Sequence, residues 1–358
     1  MKKDLKIALF GCGTVGSGVH ELLRTEGARM ARATGFNLSV AGICVRDPEK
    51  ERGVPVPHDI ITTDGGPLLD DPDIDIVVEL IGGEEEARGI IARALVNGKN
   101  VVTANKLVIA RHLPYLRRLE ELHGGRLFYG ASVCGSIPIL KVIDETLIAD
   151  RITHLRGVVN GSTNFILSRL AEGCSDAEAL ELAGANGFLE ADPTADLSGA
   201  DAAHKLSILA FHAFGRHVPP EAIATTGIEH VTAVQVEAAR AAGKTIKLVA
   251  QAAETDRGLR LSVGPQLVEL NDPLASVRDE MNIVELQCEG VGTQHFSGKG
   301  AGSIPTANAV LSDLTDILAR RRYQRNHSDR ICIPHGTFPD CAPSRAHDRS
   351  NTSRTIGV

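Results

Sequence analysis

Residues 5–23 read LKIALFGCGTVGSGVHELL, and the fold of the chain turns on how they are parsed. Leu5 to Phe10 is an apolar run of strand length. Gly11-Cys12-Gly13-Thr14-Val15-Gly16 follows, and then Val19, Leu22 and Leu23 recur at helical spacing. This is G-x-G-x-x-G between a strand and a helix, the context that a dinucleotide-binding turn requires. Gly11 permits the tight turn, Gly13 lets backbone approach a pyrophosphate, and Gly16 lets helix pack close on strand. The helix N-terminus, with Thr14 and Val15 in its first turn, is then aimed at the phosphates.

Moving outward, Asn37 to Val45 reads as the second strand and ends in Arg46-Asp47. An acid at that end would suit the ribose hydroxyls of NAD, whereas Arg46 favours the 2′-phosphate of NADP. The balance leans to NADP, with NAD open because Asp47 could turn to the ribose. Residues 74–83, IDIVVELIGG, form a buried parallel strand with a glycine turn at its C-terminal end, where such sheets line their ligand crevice. Glu84 to Val96 reads as a helix, and Val101 to Thr103 as a strand running into Ala104-Asn105-Lys106. That places Thr103 and Lys106 on the nicotinamide side. Arg126 to Ser132 reads as another strand.

The pattern then changes. Arg151 to Val159 is a strand, and Asn160-Gly161-Ser162-Thr163-Asn164 a polar turn into a helix. Ser175 to Glu178 is a capping box. Val231 to Ala242 is a helix; Thr245–Ala253, Leu259–Val268 and Ile283–Cys288 are strands. Phe296 to Gly302 is a second glycine-rich loop, after which Pro305 opens the helix Thr306 to Leu318. The expected fold is α/β: an N-terminal Rossmann-like dinucleotide-binding domain (1–149) and a second α+β substrate and dimerisation domain (150–319). The last helix is expected to return to the first domain. From Arg320 the apolar periodicity is lost, and 320–358 reads as a disordered basic tail.

The densest chemistry lies in residues 187–205, GFLEADPTADLSGADAAHK. Pro193 bars a helix interior there. From Ser198 an apolar helical run begins, which Ser198 or Asp201 could cap. Asp201 and Lys205 are four apart and share one helix face. Gly187, Glu190, Asp192, Asp196, Asp201 and Lys205 together suggest a grip on a zwitterionic small molecule.

This segment resembles the signature of homoserine dehydrogenases, in which Gly, an aromatic and Glu lead to Asp-Pro, then Asp, Gly, Asp and Lys at this spacing. Leu189 departs from the usual small residue. Thr103-Ala104-Asn105-Lys106 and Asn160 to Asn164 are similar to the family as well, and the resemblance runs from about Lys6 to Ala319. It implies interconversion of L-homoserine and L-aspartate 4-semialdehyde with NAD(P)(H), in the aspartate route to threonine, isoleucine and methionine. Lys205 and Lys106 would be catalytic, with Asp201 orienting Lys205. Glu190, Asp196 and Asp201 would hold the substrate, and Gly187 and Gly302 would join the cofactor contacts. The turn at Val133, Gly135 and Ile137 would offer main-chain oxygens to sodium, weakly, because Gly130 stands where the family commonly has a glutamate. A homodimer or homotetramer is expected, with no room for an appended regulatory domain.

Composition agrees. The chain has 358 residues, 43% hydrophobic and 23% charged, enough for two cores. Net charge −7 and pI about 6.0 argue against nucleic acid or an anionic membrane as partner. No apolar run reaches membrane-spanning length, and the N-terminal one is too short for a signal peptide. Seven scattered cysteines without a C-x-x-C suggest reduced thiols in the cytoplasm and no zinc site. Two rival readings stand beside the main one. One is a thiol-dependent aldehyde dehydrogenase using Cys134; the other is an NADPH-binding sensor without turnover.

Overall fold

The computed structural model describes residues 4–189 and 192–328, with side chains through Ala319. Around the opening glycines the chain builds a parallel sheet. β1 (Asp4–Phe10) leads into α1 (Thr14–Thr34), followed by β2 (Asn37–Cys44), β3 (Ile61–Thr62), β4 (Ile74–Glu79), α2 (Glu85–Val96), β5 (Asn100–Thr103), α3 (Lys106–His123) and β6 (Leu127–Phe128). The order is β3-β2-β1-β4-β5-β6, parallel throughout. The order reverses between β1 and β4, so the crevice opens beside Gly11, where a doubly wound sheet takes its ligand. Alternate residues of β1 face opposite layers. Ile7 and Leu9 pack with Val19 and Met30 of α1, while Ala8 and Phe10 pack with Ala87 and Ile91 of α2.

The strand expected over 126–132 is shorter. After β6 the chain folds into a tight turn at Gly130–Ser132, where Ser132 Oγ donates to Tyr129 O at 2.6 Å. Ala131 N donates to the Asp313 carboxylate, so this backbone is not offered to a neighbouring strand.

A second sheet follows, with β7 (Ile152–Val158), α4 (Gly161–Ala171), α5 (Asp176–Ala185), α6 (Ala200–Phe214), β8 (Ala224–Thr225), α7 (Ala233–Ala241), β9 (Lys244–Thr255), β10 (Gly258–Glu269), β11 (Met281–Cys288) and β12 (Gly292–Lys299). Its order is β12-β11-β7-β9-β10-β8, antiparallel except for the short pairing of β8 with β10. Helices α4, α6 and α7 pack against it. The glycine-rich loop expected from Phe296 is mostly strand. β12 pairs with β11 as far as Lys299, and only residues 300–302 are loop. Gly298 is there for space, since a Cβ would lie 2.8 Å from Ser136 Oγ.

The final helix, α8 (Ser303–Ser328), returns to the first layer and packs along α1. Its Ala307, Val310, Leu314 and Leu318 are fully buried. At the crossing, a Cβ on Gly18 would meet Ser303 Oγ at 2.8 Å and Ala307 Cβ at 3.1 Å. The stretch from Arg320, expected to be tail, is helical as far as Ser328. Arg and Gln are good helix formers, and RRRYQRN continues α8 with no Gly or Pro to stop it. Residues 329–358 lie outside the described residues.

Candidate active site

Three segments converge beside the parallel sheet's C-terminal edge. The first is the end of β5. Glu79 closes β4 fully buried, and Thr103 Oγ1 donates to its Oε2 at 2.6 Å. Ile81 N donates to Oε1 at 2.9 Å. Burial raises the Glu79 pKa against the pull of these hydrogen bonds. Thr103 Oγ1 in turn accepts from Asn105 N, and Asn105 caps α3 by accepting from Val108 N at 3.2 Å. The Thr103 side chain is thus committed to fixing this turn. Lys106 becomes the first residue of α3, at the end of a helix that disfavours cations.

The second segment is the start of α6. Neither Ser198 nor Asp201 caps it, contrary to the sequence expectation. Gly199 does so with φ +82° and no side-chain bond, which leaves the Asp201 carboxylate for other partners. Lys205 Nζ donates to Asp201 Oδ2 at 2.7 Å and to Val159 O at 2.8 Å. Lys106 Nζ reaches Asp201 Oδ1 at 2.9 Å, so the two lysines, one from each layer, meet on one carboxylate. Asp201 and Lys205 are buried, whereas the Lys106 side chain is 42% exposed. Burial alone would raise the Asp201 pKa, but the ammonium groups of Lys205 and Lys106 outweigh it and hold the carboxyl far below the usual range.

The third segment is the cap of α4. Asn160 Nδ2 donates to Asp196 Oδ1 at 2.6 Å and to Asp201 Oδ2 at 2.7 Å, while its Oδ1 accepts from Thr163 N. Burial, then the neighbouring Asp201 charge, raises the Asp196 pKa. Asp192 instead folds back onto Thr194 N. Gly187 ends the α5 region with φ +73°, and Ser162 Oγ holds Phe188 O at 2.6 Å. Glu190 lies outside the described residues.

The glycine turn fits a dinucleotide. A Cβ on Gly11 would lie 2.6 Å from Leu80 O, and one on Gly16 2.2 Å from Gly11 O, so both must be glycine. At Gly13 a Cβ would meet nothing within 4 Å, which leaves open space over the backbone where a phosphate would sit. Thr14 and Val15 begin α1, and Ser303 Oγ donates to Thr14 O at 2.7 Å, bringing Gly302 (φ +123°) to the same turn. Arg46 stands apart at the end of β2, highly exposed, 3.6 Å from Glu86. Asp47 accepts from Glu49 N in a local turn.

Val133, Gly135 and Ile137 line the crossing between the two layers. Ile137 O already accepts from Ile139 N at 2.8 Å. A cavity of about 360 Å³ opens beside them, lined by Gly130, Asp313 and Lys141 among others. A Cβ on Gly130 would lie 2.7 Å from Asp313 Oδ1. Gly130 is therefore explained by space and not by a positive φ. Cys134 has φ 57° and is 1% exposed, and burial pushes its thiol up to about 12. A buried, protonated thiol of this kind is no nucleophile, which removes the aldehyde dehydrogenase reading.

Two sequence profiles match the chain: "Homoserine dehydrogenase, NAD binding domain" over residues 11–130, and "Homoserine dehydrogenase" over residues 138–315. The chain belongs to the homoserine dehydrogenase family. The homoserine dehydrogenase of Bacillus subtilis is 39% identical over 321 residues, covering 89% of this chain and 74% of that protein. That of Synechocystis sp. is 42% identical over 319 residues, covering 88% and 73%. Among solved structures, a homoserine dehydrogenase from Thiobacillus denitrificans superposes with a TM-score of 0.86 at 38% identity, covering 93% of this chain and 77% of that one. A hyperthermophilic archaeal homoserine dehydrogenase in complex with NADPH gives a TM-score of 0.72 at 27% identity, covering 89% and 98%. The protein is an NAD(P)-dependent oxidoreductase with a Rossmann-type first domain, and a non-catalytic sensor is not supported. Sequence reasoning missed Glu79 and Asn160 as organisers. An acid ending the apolar run IDIVVE was a signal for the first, and an amide at a helix cap for the second.

Proposed function

We propose that the chain interconverts L-homoserine and L-aspartate 4-semialdehyde through the Lys205–Asp201–Lys106 arrangement, and that this shared carboxylate carries the reading. When bound, a nicotinamide dinucleotide supplies or accepts the hydride. Gly11, Gly13, Thr14, Val15, Gly16, Gly187, Lys106, Gly302 and the main chain of Thr103, whose hydroxyl is taken by Glu79 and Asn105, would hold it. The chain's own task is the proton and the developing negative charge. Two of the three Lys205 N–H groups go to Asp201 and Val159, which leaves one to meet the substrate oxygen. In aldehyde reduction Lys205 stabilises the alkoxide and gives it a proton; in alcohol oxidation it takes that proton back. Asp201 orients both lysines and stays ionised. Asp196, with Glu190, is assigned to the substrate ammonium.

NADP is the preferred cofactor in this reading. Exposed Arg46 can leave a weak surface pair with Glu86 for a 2′-phosphate, and Asp47 is turned to its own loop. A monovalent cation at Val133, Gly135 and Ile137 would find its carboxylate in Asp313, at the place left by Gly130. Sodium-dependent thermal shifts lost in Asp313→Asn would support this, and identical melts with and without sodium would remove it. The free thiols of Cys12, Cys44, Cys134, Cys174 and Cys288 suit a reducing cytoplasm. No helix among the described residues is long and apolar enough to cross a membrane. The outer face of the second sheet, with Arg156, Glu285 and His295, is assigned to a dimer contact.

The test is L-homoserine oxidation followed at the nicotinamide absorbance, with NADP and NAD side by side. Turnover that survives iodoacetamide is expected. NADPH binding without any homoserine-dependent turnover would sink the proposal.

A further inference from the structure

Asn282 lies on β11 with 0% exposure, and its Nδ2 and Oδ1 have no hydrogen-bond partner among the described residues stronger than the neighbouring Cys134 thiol. A buried amide in that state lowers stability, and an apolar residue of the same shape would not. Its position is specific. The amide is pressed onto the α-carbon of Gly300, where a Cβ would lie 2.3 Å from Cγ, Nδ2 and Oδ1. Beside it is the Cys134 thiol, a weak partner that also feels the charges of Lys205 and Asp201.

The neighbours of this amide are the two turns that flank the active site. Gly135, with φ +52°, packs on the Lys299–Gly300 backbone, where its Cβ would lie 2.6 Å from both carbonyl oxygens. Ser136 N and Oγ both donate to Lys299 O. Gly300 N makes only a long bond of 3.3 Å to Glu280 O. Residues 300–302 then join β12 to α8, whose Ser303 is tied to the dinucleotide turn at Thr14. The short loop bridges the cofactor turn and the back of the Lys205 site. Two of its three residues are glycine, so its peptide planes can turn without side-chain penalty.

We infer that Asn282 is a positioning residue for this loop. In the dinucleotide complex the peptide groups of 300–302 turn onto the amide, one donating to Oδ1 and one accepting from Nδ2. The loop is thereby set against the cofactor. In the ligand-free chain the amide has at most the weak thiol as a partner and in the complex it gains peptide partners, so it favours the bound form. This inference rests on the assignment of the Gly300–Gly302 loop to the cofactor.

The experiment pairs two variants in the full chain, Asn282→Leu and Ala301→Phe, with thermal melts, NADPH titration by fluorescence, and homoserine kinetics. Ala301 is exposed on the loop and has no positive φ, so Ala301→Phe reports only on what the loop faces. Asn282→Leu should melt at or above the wild-type temperature yet bind NADPH on the order of 10-fold more weakly, with kcat/KM falling alongside. Unchanged NADPH affinity and kinetics in Asn282→Leu would overturn the inference. If Ala301→Phe also leaves NADPH affinity unchanged, the cofactor assignment of the loop fails as well. If Ala301→Phe weakens binding while Asn282→Leu does not, only the role of Asn282 falls. Should Asn282→Leu not fold, wild-type hydrogen exchange decides: amides of 298–304 should gain protection when NADPH is added, and unchanged exchange overturns the proposal.

Discussion

At the scale of single residues, Asp201 ties three elements together. It holds two lysines from two layers and an asparagine from a third element. Removing Lys205 takes away a group that acts when charge develops on the substrate oxygen, and Lys106 still neutralises Asp201. Lys205→Ala should therefore lower kcat by roughly 10²–10⁴ with little change in NADPH affinity. A variant with near wild-type kcat would exclude Lys205 from the chemistry. Arg46→Ala should raise KM for NADP much more than for NAD, since only NADP offers a phosphate to the guanidinium. Equal changes would mean that Arg46 points elsewhere. The i,i+4 pair was legible in the chain because helical spacing fixes it. Asn160 and Glu79 were harder to see as organisers, because their local signals, an amide at a helix cap and an acid ending an apolar run, do not name the partners tens of residues away through which they act.

At the scale of elements, the last helix carries two consequences. Gly18 lets α8 lie against α1, so Gly18→Val should force the helices apart at a cost of about 1–3 kcal/mol. Differential scanning calorimetry would show the lower melting temperature, and an unchanged melt would mean that the contact yields freely. Asp313 is the second consequence. Burial raises its carboxyl to about 7. Between the unfolded carboxylate value and pH 7 the folded chain binds the extra proton, so stability falls as pH rises through that window and the loss is complete above it. Asp313→Asn should flatten that slope, by an amount on the order of a few kcal/mol across the window. Urea melts from pH 4.5 to 8 would measure it, and parallel curves for both proteins would contradict it. Strands β1, β2, β4 and β5 were plain in the sequence from their apolar runs. β12 was not, because its half-exposed face and glycines look like a loop until pairing with β11 is known.

At the scale of the whole molecule, the apolar contacts of α8 with the core end at Leu318 among the residues whose side chains are described. Ending the chain after Arg322 should leave melting temperature and activity within error of the full chain. A drop in either would show that later residues dock. The division into a parallel sheet and a mixed one was readable from the change in pattern near residue 150. The return of the chain to its starting layer rested on one apolar helix with no local clue to its partner.

That return has a consequence in time. The face of α1 that α8 covers stays bare until residue 303 and those after it have been made, so the first layer cannot be finished when its own sequence leaves the ribosome. While the second sheet is being made, an apolar groove waits for a segment not yet synthesised. A nascent chain stalled in the second sheet is the form of this protein most exposed to chaperones and to clustering with its neighbours.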